Sequence, residues 1–106
     1  MSRQTNADLR RYYREANAKY FHNRLPKDIP MRFAKMRDVG TTWIDDDNVP
    51  VEIWVTEKLR TFQAITIMVV LHEMQHVQEP SHIGHGWRFD KRMLKLAKAG
   101  AFAGLW

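Results

Sequence analysis

Between Thr61 and Val77 the sequence sets Ile65, Ile67, Met68, Val69, Val70 and Leu71 in one run with no polar stripe, then places His72, Glu73, Gln75 and His76 in the same segment. A helix that is apolar on every side reads as one surrounded by core, so the rest of the chain has to wrap around it. The polar residues are the difficulty. Burying two imidazoles, a carboxylate and an amide in apolar surroundings leaves groups that cost about 1–3 kcal/mol each unless they are satisfied. A helix advances about 100° per residue, so His72 and His76 leave the same face one turn apart, with Glu73 beside the first of them. Two imidazoles placed in this way can reach one ion, and a carboxylate next to them can move a proton.

The remaining segments supply what such a helix needs. Apolar residues at Leu9, Tyr12, Tyr13, Ala16 and Tyr20 recur at helical spacing from Thr5 to Phe21, and Thr5 with Asp8 approximates a capping box. Ile29 to Met36 and Val51 to Thr56 alternate as strands do, with Met31 and Phe33, then Val51, Ile53 and Val55, on one face. Thr41 to Ile44 is a further short strand, between turn chemistry at Gly40 and at Asp45 to Pro50. A last helix, from His85 or Gly86 to Ala99, has Phe89, Met93, Leu96 and Ala97 as its inward stripe and Gly100 as its stop. Strands grouped together, with helices before and after, predict an α+β fold: an N-terminal helix, a small, mostly antiparallel sheet of about three strands, a central helix and a C-terminal helix. With 106 residues, 44% hydrophobic and 27% charged, one globular domain over residues 1–106 is expected, and disordered or collagen-like classes are excluded. The start is polar and basic, and the longest apolar run, Ile67 to Leu71, is too short for a bilayer. A cytoplasmic protein without a membrane partner is therefore expected, with nucleoid association an option, and a monomer is the favoured state.

There is no cysteine, so any metal must be held by His, Asp or Glu. His72-Glu73-Met74-Gln75-His76 has the HExxH spacing of zincins, and three imidazoles suit Zn²⁺. A catalytic zinc takes three protein ligands, and two histidines compete for the third place. His82 follows His76 by the metzincin interval, but Glu79 stands where that motif has its turn-permitting glycine. His85 falls roughly 40° from Phe89 on a helical projection, on the inward stripe with Met93 and Leu96, and this favours His85.

These residues resemble the SprT-like (Spartan-like) zinc metalloprotease domain family. The likeness runs over nearly the whole chain. It rests on Tyr20-Phe21 to Leu25-Pro26, Gly40, Ile53 to Val55, Leu71 to His76, and His85-Gly86 with Phe89. The resemblance implies a zincin-like minimal peptidase core with His72, His76 and His85 as zinc ligands and Glu73 as general base. It also implies a protein or peptide substrate, with DNA-associated proteins as one class. The substrate would lie extended, and the strand Val51 to Thr56 is the expected edge for main-chain pairing.

Charge is distributed unevenly. Residues 1–40 carry ten Lys/Arg against four Asp/Glu, residues 41–83 two against seven, and residues 84–106 five against one. Arg88, Lys91, Arg92, Lys95 and Lys98 gather opposite the apolar stripe of the last helix, a face that could track DNA phosphates or simply be solvated. Asp45-Asp46-Asp47-Asn48 lacks the alternating oxygens and glycine of a calcium loop and reads as a turn. Trp43 and Trp54 read as core or sheet-face residues that could line a groove if exposed, and the apolar tail Ala101 to Trp106 reads as docked on the core. The competing class is a non-catalytic, zinc-stabilised binding module for nucleic acid or protein.

Overall fold

The structure, a computed structural model, describes residues 3–78. In chain order these form α1 (Asn6–Tyr20), β1 (Met31–Ala34), β2 (Gly40–Ile44), β3 (Pro50–Thr56), a 3-10 turn at Glu57–Leu59 and α2 (Gln63–Gln78). The last helix expected from His85 or Gly86 to Ala99 and the tail Ala101 to Trp106 lie outside the described residues.

The Thr5 capping box is present. The Thr5 backbone N–H donates to Asp8 Oδ2 at 2.8 Å, and the Thr5 hydroxyl accepts from the Asp8 backbone N–H at 3.4 Å. Leu9, Tyr12, Tyr13 and Ala16 are buried along one stripe. The helix stops where His22 and Asn23 take left-handed backbone conformations, φ 54° and 59°, and the Asn23 N–H returns to the Asn17 carbonyl at 2.9 Å. Buried Asn17 then clamps the departing chain: its side-chain amide donates to the Leu25 carbonyl at 3.1 Å and accepts from the Leu25 N–H at 3.2 Å. Tyr13 donates its hydroxyl to the Pro26 carbonyl, and burial pushes its pKa up to about 12.

The sheet has three strands in the order β1-β3-β2. It is mixed rather than mostly antiparallel: β2 pairs antiparallel with β3, and β1 pairs parallel with β3. From β1 the chain reaches the far edge as β2, reverses at the Asp45–Val49 turn and returns as β3 into the middle. Val51 to Thr56 is therefore the central strand, and the expectation that it offers a free edge is overturned; both of its edges are paired, and among the described residues β2 is an edge strand. Asp45 Oδ1 accepts the backbone N–H groups of Asp47 and Val49, each at 2.9 Å, so the acidic run is a turn. Trp43 pairs with Glu52 and Ile44 with Pro50, leaving Val51 as the extra residue of a bulge. Val51 is accordingly 44% exposed instead of joining Ile53 and Val55 in the core.

α1 and α2 cover one face of the sheet, where Met31, Phe33, Ile53 and Val55 pack with Leu9, Tyr13, Val70, Leu71 and Met74. Trp43 and Trp54 occupy the opposite face, edge to face with ring centres 5.1 Å apart, and Arg32 lies 4.1 Å over Trp54. The α2 segment is not enclosed on every side as its composition suggests. Ile65 in its first turn and Phe62 just before it are 47% and 53% exposed, and burial tightens from Thr66 onward. Among the described residues, no helix is long and apolar enough to cross a membrane.

Candidate metal centre

His72, Glu73, Gln75 and His76 lie on the last two turns of α2, where the helix passes beneath β2. His72 and His76 leave one face of α2 with ring centres 5.2 Å apart, and both are half-buried. Glu73 is 4% exposed, and its Oε2 lies 3.9 Å from His72 Nε2. One ligand atom from each of His72, Glu73 and His76 lies within 4.8 Å of the others, the proximity that groups sharing one ion require. The three residues form a group that can bind a metal ion. The donor set fits a borderline cation, with imidazole nitrogen and carboxylate oxygen and no thiolate.

Two residues of β2 complete the surroundings of Glu73. Strand alternation turns Thr42 toward α2 and Trp43 away from it. The Thr42 hydroxyl donates to Glu73 Oε1 at 2.8 Å and lies 3.3 Å from the Glu73 main-chain carbonyl. Two residues earlier, Gly40 allows the strand to come close: a Cβ at this position would stand 2.6 Å from Val69 Cγ1 and 3.2 Å from Glu73 Oε2. Neither contact is visible in the sequence, where Gly40 reads as turn chemistry and Thr42 as one residue of a short strand. The Trp43–Trp54 pair, on the far face of the sheet, does not line this site.

Gly40→Ala is expected to destabilise the fold by about 1–3 kcal/mol, because the β-branched Val69 has no free rotation with which to yield and the strand must move instead. Chemical denaturation of the two proteins checks this; unchanged stability would mean that β2 does not approach α2 this closely.

Burial raises the Glu73 pKa from 4.5 to about 7, against a smaller lowering by the Thr42 hydrogen bond. In the metal-free protein the native state therefore holds this proton more tightly than the unfolded chain does. The resulting stabilisation is complete below about pH 4.5, is lost as pH rises through about 7, and amounts to about 3 kcal/mol. Glu73→Gln should abolish that part of the pH dependence. Denaturation of the metal-free proteins between pH 5 and pH 8 measures it, and identical slopes for the two proteins would contradict a buried, proton-binding Glu73.

The other expected site residues, His85 and its competitor His82, and the basic set Arg88, Lys91, Arg92, Lys95 and Lys98, lie outside the described residues. Buried Gln75 keeps its Oε1 without a hydrogen-bond partner among the described residues, so the helix carries further polar demand on its buried side. Compared with protein-family models, with curated proteins and with solved structures, the chain matches none.

Proposed function

We propose that the protein is a zinc-dependent peptidase with a zincin-like core of the SprT type, in which His72 and His76 hold the metal together with His85 and Glu73 acts as general base. The observation that carries this reading is the placement of Glu73: a buried carboxylate beside two imidazoles one helical turn apart, fixed by a 2.8 Å hydrogen bond from Thr42. A carboxylate kept only to satisfy the core has no need of two histidines on its own helix face. Zinc, when bound, would supply Lewis-acid polarisation of the scissile carbonyl and acidify water.

The chain's own part is proton handling and positioning. Glu73 is the buried carboxylate beside both imidazoles, placed to take and release a proton. It takes one from the attacking water at a carboxylate oxygen and delivers it to the departing amine. Thr42 occupies Oε1, so Oε2, on the side of His72, is the oxygen left to exchange the proton. With β3 paired on both sides, the edge for an extended peptide substrate is β2, whose Thr42 already reaches the site. The test is hydrolysis of an unstructured protein such as casein by the zinc-loaded chain. Turnover abolished by a chelator and restored by zinc supports the proposal. A zinc-bound chain with no turnover on protein or peptide substrates would instead point to a non-catalytic zinc-stabilised binding module.

A further inference from the structure

A second feature lies at the other end of α2, roughly 13 Å along the helix axis from His72. Here Arg3, Gln4, Asp8, Arg11, Tyr12, Arg60, Thr61 and Gln63 line a cleft of about 410 Å³. Its floor is a saturated hydrogen-bond hub. The two N–H groups of the Gln4 side-chain amide are shared among the carbonyls of Leu59 and Arg60, at 3.0 and 3.1 Å, and the Thr66 hydroxyl, at 3.1 Å, and its carbonyl oxygen accepts from Tyr12 at 2.7 Å. The Gln4 backbone N–H adds a bond to the Arg60 carbonyl at 2.9 Å. The segment ahead of α1 is thus pinned to the turn ahead of α2, and the walls of the cleft stand on a fixed base.

Those walls are cationic beyond local need. Asp8 is committed to the capping box and to Arg11, at 3.4 Å. Arg3 and Arg60 have no carboxylate partner among the described residues. Arg60 is held with its guanidinium carbon 5.2 Å over the Phe33 ring, and its Nε is buried with no hydrogen-bond partner among them. A buried donor on a permanent charge is costly to leave unmet, and a planar guanidinium pairs best with an anion of several oxygens. The Thr61 hydroxyl and the Gln63 amide add donors at the same mouth.

We infer that this cleft binds a phosphate group, held between Arg3 and Arg60 with Arg11 at the side, and that its volume admits a phosphomonoester of mononucleotide size. The inference is independent of the metal centre. It is tested by calorimetric titration of the full chain at low ionic strength with inorganic phosphate, adenosine monophosphate and a short single-stranded oligonucleotide. Binding should weaken on the order of tenfold in Arg3→Gln and in Arg60→Gln, and less in Arg11→Gln, whose guanidinium Asp8 already engages. Arg3 is exposed, so its variant decides the matter should Arg60→Gln fold poorly, and metal content should be unchanged in all three. Binding of phosphate or the mononucleotide identifies a small phosphomonoester as the source; binding of the oligonucleotide alone, with the same arginine dependence, identifies a phosphodiester backbone. No binding by any of the three, or binding undiminished in both Arg3→Gln and Arg60→Gln, overturns the inference.

Discussion

Replacing Glu73 by glutamine is expected to reduce peptide hydrolysis by about 10²- to 10⁴-fold while leaving the bound metal in place. Glutamine has nearly the same shape and still offers Thr42 an oxygen to bond, so the packing under β2 should survive. What disappears is the ability to hold a proton. In the metal-free protein burial raises the carboxylate to about 7, and the amide has no such equilibrium. Turnover measured alongside metal content separates the two functions of the site. A Glu73→Gln protein that hydrolyses peptide at the wild-type rate would remove Glu73 from the mechanism, whatever metal it carried.

The second large effect concerns the imidazoles. His72→Ala and His76→Ala should each bring zinc content from about one ion per chain to background, because each removes a ligand that one turn of helix places on the shared face. The loss should also lower thermal stability, since an ion that binds only the native state stabilises it by mass action. Elemental analysis after exhaustive dialysis, with thermal unfolding before and after added zinc, gives both readings. Metal retained at full occupancy in either variant would place the ion elsewhere. A wild-type chain whose melting temperature ignores zinc would argue that no folded-state site exists.

Much of the framework could be read from residue spacing, because its determinants are local. The capping pair Thr5 and Asp8 sets the start of α1, and the stripe of Leu9, Tyr12, Tyr13 and Ala16 predicts which side is buried. His72, Glu73 and His76 are four residues apart at most, so helical geometry alone brings them together. What could not be read depends on partners distant in sequence. Alternation in Met31 to Ala34 marks a strand but not its neighbour, and the parallel pairing with β3 follows from where the β2 hairpin returns. Thr42 and Glu73 are 31 residues apart, and nothing in a short Gly-Thr-Thr-Trp-Ile strand says which threonine faces the helix. The function of Gly40 is likewise a contact, with Val69, rather than a backbone conformation. Val51 fits the apolar alternation and still leaves the core, because a bulge shifts the pleat at that point.

The most direct test of the account is a crystal of the zinc-loaded protein with anomalous scattering recorded at the zinc absorption edge. A single strong peak bonded to one nitrogen of His72 and one of His76, at about 2.0–2.1 Å from each, with Glu73 alongside and still bonded to Thr42, is the predicted result. A map with no anomalous density between those two histidines, or with the zinc held by other residues, would contradict it.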